Sequence, residues 1–229
     1  IYKRYNSDSS QRSKTKKSKK SMRYTGPKEK LSRKVGENLG LKAERSFSPK
    51  SSFLKKPYRP GQHGKARRRP LSEFGAQLLE KQKIKFTYGI SEKQLKKCFN
   101  EAKQYKGMTG NLMLSMLERR FDNVIYRSGF ADSRSISRQM TSHGHFLINN
   151  KKVTVPSYQV KIGDIIGIKP QSRSKQIFFD LMNKLKKHEA APWLVIDIKN
   201  LEIKIKGEPI NDDLPKNFNM NLIVAFYSK

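Results

Sequence analysis

Apolar positions recur at helical spacing in the middle of this chain and give way to alternation further on. Over residues 71–106 two amphipathic helices are predicted. Ser72 caps the first, Phe74, Leu78 and Leu79 share its inner face, and Gly89 closes it; Ser91 and Gln94 form a capping box for the second, which turns Leu95, Phe99 and Ala102 inward. In LMLSMLERRFDNVIYRSGF, Leu117, Phe121, Val124 and Ile125 keep helical spacing up to a stop at Gly129, which predicts one continuous helix. Asp132 or Ser133 then caps SRSISRQMTSH, with Ile136 and Met140 inward and Arg134 and Arg138, four residues apart, on a shared outward face.

After Gly144 the period shortens. HFLI, then Asn149-Asn150, then KKVTV reads as a hairpin, because asparagine tolerates the positive φ of a tight type I′ turn. Pro156 ends that strand, and SYQVKIGDIIGIKP holds strand-like runs around a turn at residues 162–164. QIFFDLMNKLKKH predicts a further helix, while WLVIDI and LEIKI alternate as a short hairpin that buries Trp193. Residues 22–70 are interrupted by Gly and Pro into loop and short helix, and residues 1–21 show no periodicity. The class is therefore α+β, mainly helical with small β elements.

Charge narrows the partner. Lys and Arg number 50 against 19 Asp and Glu, a net charge of +31 over 229 residues. Such a chain repels itself unless a polyanion neutralises it. Apolar residues make up 35% and mean hydropathy is −0.80, too little apolar surface for every segment to order alone. No apolar run approaches the ~20 residues of a membrane span, and the basic stretches lack the apolar face of an interfacial helix. Nucleic acid fits better. In that setting Lys93, Lys96, Lys97 and Lys103 turn from a solvated face into phosphate-facing positions. The Ser- and Lys-rich residues 1–21 read as a disordered basic extension, with an organellar targeting remnant as the alternative.

Chemistry-bearing residues are sparse. Cys98 is the sole cysteine, so no disulfide forms within the chain and no cysteine-rich zinc site exists. His143 and His145 suggest a metal or catalytic pair, but one ends a helix, the other begins a strand, and no third ligand stands nearby. Scaffold and RNA contact are the better reading. RPGQHGKARRRP is the other concentrated signal: Gly61 and Gly64 permit a tight path with exposed amides, Gln62 and His63 offer donors, and Arg67, Arg68 and Arg69 follow.

LERRFDNVIYRSGFADSRSISRQMTSHGHFLINNKKVTVPSYQVKIGDIIGI resembles the RNA-binding module named after the fourth protein of the small ribosomal subunit, S-four: two helices on a small antiparallel sheet. The flanks RYTGPKEKLSRK, RPGQHGKARRRPLSEFGAQLLEKQKIKFTYGI, PWLVIDIKNLEIKIKGEP and NLIVAFYSK are similar to bacterial-type S-four proteins in the same order, so the resemblance covers residues 22–229. Asn-Asn stands at the hairpin tip where the family often has Asn-Gly. The N-terminal cysteine cluster of some members is missing, which implies no zinc and no cofactor.

The resemblance implies a non-enzymatic protein that binds the 5′ domain of small-subunit ribosomal RNA at a multi-helix junction, nucleates subunit assembly, and lies near the messenger entrance beside the fifth small-subunit protein. It implies a bacterial or organellar ribosome. It also implies a discontinuous domain, residues 22–110 completed by residues 171–229, around an inserted module at 111–170. Candidate RNA contacts are Arg23, Tyr24, Lys28 and Arg33; Arg59, Gly61, Gln62, His63, Gly64, Lys65, Arg67, Arg68 and Arg69; and, in the module, Arg119, Arg127, Arg134, Arg138, Gln139, His143, Lys151 and Lys152. Folded RNA presents phosphates and shallow grooves, which spaced cations on rigid helices suit. Some arginines could instead pair with Glu118 or Asp122, and for Arg120 both readings stand. The same module also occurs in RNA-modifying enzymes, such as pseudouridine synthases, and in heat-shock RNA binders.

Overall fold

The structure, a computed structural model, describes residues 24–67, 69–210 and 213–228. The basic extension expected over residues 1–21 lies outside the described residues, as do Arg23 and Arg68. In chain order, α1 (Lys28–Val35), α2 (Glu44–Phe47) and α3 (Ser52–Lys55) are short; α4 (Glu73–Tyr88), α5 (Glu92–Gln104) and α6 (Thr109–Glu118) are longer. Next come α7 (Phe121–Arg127), α8 (Arg134–Ser142), β1 (Phe146–Ile148), β2 (Lys151–Lys152) and β3 (Ile165–Ile168). The chain ends with α9 (Pro170–Arg173), a 3₁₀ turn at Gln176–Phe178, α10 (Leu181–Lys187), β4 (Leu194–Asp197), β5 (Glu202–Ile205) and α11 (Met220–Ser228).

The first core joins α4, α5, α6 and α11 through Ile84, Leu95, Phe99, Met113, Leu117, Phe218 and Ile223. Its caps are those the sequence predicts. Ser72 Oγ accepts from Gly75 N at 3.2 Å, Gly89 ends α4 at φ +62°, and Ser91 and Gln94 make both bonds of the capping box. The inner face of α4 is not. Phe74 is 55% exposed, tilted against Phe226 with 5.7 Å between centroids, whereas Lys81 and Lys83 are buried. The cause is α11, which returns along α4 and covers its lysine stems. Lys81 Nζ lies 4.3 Å from the Phe226 ring centre and 2.9 Å from Glu92; Lys83 Nζ lies 2.7 Å from Glu37. Burial pushes the Cys98 thiol up to about 12, so it behaves as a small core residue.

The expected single helix across residue 119 is two. Arg120 adopts an extended backbone (ψ 136°) and bridges to Gln159, while Phe121 N and Asp122 N donate to Tyr158 and Pro156 carbonyls at 2.8 and 3.1 Å. These bonds replace the helical ones lost at the break. α6 thus belongs to the first core, and the boundary expected at residue 111 moves to 119.

The second core is a five-stranded antiparallel sheet in the order β2-β1-β3-β5-β4, covered on its inner face by α7, α8 and the α10 region. This corrects the expected partition of residues 171–229. β5 pairs with β3, and Phe178, Leu181, Leu185, Trp193, Ile203 and Ile205 fill the module core; beyond residue 210, Leu214, Phe218 and Ile223 return to the first core. The physical reason is the β3 edge, whose unpaired backbone groups the 194–205 hairpin satisfies. In α8, Ile136 is 40% exposed instead of inward; Ser137, Met140 and Thr141 are buried. Among the described residues no helix is long and apolar enough to cross a membrane.

The β1–β2 turn has φ of +47° at Asn149 and +63° at Asn150, the pair of positive values that the sequence requires. Asn149 does more than tolerate it. Its Oδ1 accepts from Ile165 N at 3.0 Å and its Nδ2 donates to Asp164 at 2.8 Å, fixing the hairpin to the start of β3. Asn149→Ala should therefore destabilise the chain by about 1–2 kcal/mol, whereas Asn150→Gly should leave stability unchanged or raise it by a few tenths; urea unfolding midpoints check both.

Candidate nucleic-acid interface

At the last residue of α6, Glu118 is 1% exposed. Removing a carboxylate from water costs several kcal/mol. Four donors oppose that cost: Tyr88 Oη at 2.5 Å, Asn123 Nδ2 at 2.6 Å, and Arg127 Nε and Nη2, each at 2.8 Å. At roughly 1.5–3 kcal/mol for each bond to a charged group, the donors win. Burial raises the Glu118 pKa, but Arg127, the Arg134 charge and Tyr88 outweigh it and hold the carboxyl below its ordinary 4.5. The same cluster pushes the Tyr88 phenol well above 10.0, through burial first and the Glu118 charge second. Tyr88 ends α4 and Arg127 ends α7, so one carboxylate ties the two cores together.

Asp122 and Asn123, in the first turn of α7, do the same for α8. Arg120, 5% exposed, grips Asp122 with Nε at 3.1 Å and Nη2 at 2.8 Å, the internal pair that was one of its two expected roles. Arg138 Nη1 lies 3.4 Å from the same carboxylate, and Ser137 Oγ donates to the Asp122 carbonyl. Arg134 Nε donates to Asn123 Oδ1 at 2.8 Å, with its guanidinium 4.9 Å from the Tyr88 ring centre and 4.4 Å from that of Tyr126. The expected shared outward face of Arg134 and Arg138 is corrected accordingly: both lean onto α7 because an acid and an amide stand there. The crevice around them has room for solvent of about 30 Å³, enough for on the order of two waters.

Other predicted residues divide between internal and outward positions. Arg119 pairs with Glu208 at 2.7 Å, and Arg127 with Glu118. Arg33 Nε donates to the Lys56 and Tyr58 carbonyls at 2.9 and 3.0 Å and its guanidinium lies over the Tyr58 ring, near which Lys65 Nζ also sits. Lys28 Nζ donates to the Tyr24 carbonyl at 3.3 Å. Gln139, His143, Lys151 and Lys152 are exposed on the module, and Gln62, His63, Lys65, Arg67 and Arg69 are exposed on the loop that follows the half-buried Arg59. In that loop Gly61 has φ +115°, and a Cβ on Gly64 would fall 1.9 Å from the Arg59 carbonyl oxygen, so both glycines are demanded by the backbone.

The two histidines do not form a site. Their rings stand edge to face with centroids 5.9 Å apart, and His145 Nδ1 shares a hydrogen bond with buried Ser172 Oγ at 3.0 Å. Burial, with help from Lys175 and His143, lowers the His145 pKa and keeps the ring neutral. Among the described residues no three His, Cys, Asp or Glu side chains gather closely enough to hold a metal ion.

Comparison with known proteins follows this architecture. Residues 23–118 match the ribosomal protein S4/S9 N-terminal domain and residues 119–166 the S4 domain, the two matches meeting between Glu118 and Arg119. The chain is 45% identical to small ribosomal subunit protein uS4 of Caldicellulosiruptor saccharolyticus over 207 residues, 90% of this chain and 99% of that protein. It is 42% identical to uS4 of Thermus thermophilus over the same shares, and 43% identical to uS4 of Chloroflexus aurantiacus over 210 residues, again 90% and 99%. The chain belongs to the uS4 family.

Within this family member, sequence reasoning named Glu118 as a possible arginine partner, which the Arg127 pair bears out, but missed Tyr88 and Asn123 and the part Glu118 plays in joining the two cores. One signal was available: Glu118 is the lone acid in the apolar run LMLSMLE of an acid-poor chain. Glu118→Gln should destabilise by about 3–5 kcal/mol at pH 7, because Arg127 loses its buried counter-charge. A carboxyl whose folded pKa is depressed contributes above its unfolded value and loses that contribution as pH falls through the folded value. The gap between wild type and Glu118→Gln should therefore narrow from pH 5 downwards; chemical unfolding across pH 7 to 3 measures it, and a constant gap would remove Glu118 from this role.

Proposed function

We propose that this chain is a structural, non-catalytic constituent of the small subunit of a bacterial-type ribosome, and that it holds the 5′ domain of the small-subunit RNA. The observation that carries this is the match to uS4 proteins over 90% of the chain, flanks included, combined with outward cations on a scaffold whose other cations are internally paired. The match extends well beyond the module, which removes the basis for a modifying enzyme or a heat-shock protein that shares only the module.

RNA meets the module at Gln139, His143, Lys151 and Lys152, with Arg134 and Arg138 adding positive field from behind. Phosphate contact is the mode suited to such side chains, since a deep RNA major groove admits no reading of base edges. The loop of Gln62, His63, Lys65, Arg67 and Arg69 faces single-stranded messenger near its entrance, where exposed cations can follow a backbone. The fifth small-subunit protein is its neighbour.

Binding of the full chain to a 5′-domain RNA fragment should weaken with salt, log affinity falling by about 0.7–0.9 per log unit of salt for each phosphate met. Lys151→Ala with Lys152→Ala should lower affinity roughly tenfold and reduce that slope, without moving the unfolding midpoint. Filter binding across a KCl series reads both. An affinity independent of salt would overturn the proposal, and an unchanged slope in the double variant would remove the hairpin from the interface.

A further inference from the structure

Among the described residues the sheet ends at β4, which pairs with β5 on one side and with no strand on the other. Ile205 N donates to the Asp164 carbonyl at 3.1 Å and its own carbonyl accepts from Gly163 N at 3.0 Å, so the Ile205 backbone faces away from β4. Lys206 N, next along, donates to the Trp193 carbonyl at 3.0 Å. Leu194 stands opposite Ile205, and alternation along the pair then turns the Val195 backbone toward Lys204 and the N–H and C=O of Ile196 outward. Leu194 N is met by the Ala191 carbonyl at 2.9 Å, but among the described residues nothing meets the outward groups of Ile196.

The solvent face at this margin is acidic. Asp197 stands opposite Glu202, and like charges placed so oppose strand pairing. Asp197 is engaged in its own turn, accepting from Lys199 N at 3.0 Å, Asn200 N at 3.2 Å and Asn200 Nδ2 at 2.7 Å. Glu202 has neither a hydrogen bond nor an ion pair from its side chain among the described residues, in a chain with 50 cations. Gly167, opposite Glu202 on β3, has no side chain to cover it. Two residues before Asp197 on the same face, Val195 is 47% exposed.

We propose that the outer edge of β4 docks an extended segment of a neighbouring protein, which adds a further strand and places a cation beside Asp197 and Glu202. RNA has no ladder of amide donors and acceptors to match Ile196, and its phosphates are repelled by the two carboxylates. A second copy would bring another chain of charge +31 with the same acids at the same edge. A basic protein segment meets less opposition, because salt screens exposed charges beyond about 8–10 Å whereas the acid pair acts at contact. Alternation gives the pattern of the added strand: an apolar residue against Val195, an apolar residue over the partly buried Ile196, and Lys or Arg against Asp197.

Amide hydrogen exchange of the full chain, read by NMR, tests this with two capped hexapeptides, Thr-Val-Ile-Lys-Val-Thr and Thr-Val-Ile-Glu-Val-Thr. At about ten times its dissociation constant the lysine peptide should slow exchange at Ile196 roughly tenfold, while the Val195 amide, which faces β5, is unchanged. The glutamate peptide should leave Ile196 as it is. Glu202→Lys should reverse that preference. Absence of lysine-peptide binding, or Ile196 exchange unaltered by it, would overturn the edge site, and so would equal slowing by both peptides; each of these leaves the ribosomal reading standing. Slowing of Ile196 by a 5′-domain RNA fragment in place of the peptide would give the edge to RNA and overturn the proposal as well.

Discussion

The buried carboxylate of Glu118 is the constraint on which the two halves of this protein depend. A hydrophobic contact between the cores would be indifferent to rotation, because burial is non-directional. A carboxylate with four donors is not. Tyr88 fixes the end of α4, Asn123 and Arg127 fix both ends of α7, and Asn123 in turn holds Arg134 on α8. Among the described residues, α4 and α7 are thereby tied directly to one pair of oxygens on α6, and α8 through Asn123. Replacing buried ion pairs with apolar residues often costs no stability; what the ionic version adds here is a defined orientation for α8 and the hairpin that follows it.

A chain with 19 acids among 50 cations uses those acids selectively. Glu29, Glu92, Glu118 and Asp122 each receive more than one donor, and each joins segments remote from one another in sequence. Glu92 collects Lys81, Lys85 and the Tyr227 hydroxyl, linking α4, α5 and α11. Burial opposes the Glu92 charge, yet these donors keep its pKa below 4.5. The cations consequently fall into two populations: those that acids draw inward to build the scaffold, and those left on the surface to repel one another until an anion arrives.

That division explains what was legible in the sequence. Local rules were readable: the Ser72 and Ser91 caps, the Gly89 stop, and the Asn149-Asn150 turn depend on neighbouring residues alone. Tertiary facts were hidden. The break at Arg120 arises because residues 156–160, far along the chain, supply backbone partners for Phe121 and Asp122. The inward face expected for Phe74 failed because nothing local announces that the C-terminal segment returns along α4, where Lys81 and Lys83 are buried against Phe226 and Phe218. Arg134 and Arg138 read as an outward pair for the same reason, since periodicity gives a face but not what that face meets. The β4–β5 hairpin was visible as a hairpin, while its docking on β3 was not.

The same separation bears on how the protein holds RNA. If all its cations were mobile lysines, ordering them on a phosphate surface would cost roughly 1.5–2 kcal/mol of side-chain entropy apiece at most, and that cost would subtract from binding. Here the arginines of α7 and α8 are ordered before RNA arrives, by Glu118, Asp122 and the Tyr88 and Tyr126 rings. Their charge is present without that cost. Lys151 and Lys152 form β2, directly after a two-residue turn whose geometry Asn149 fixes, so their backbone is ordered even though their side chains are exposed. Preorganised charge at a fixed spacing is what distinguishes such a surface from a flexible polycation, and the buried acids are what create it.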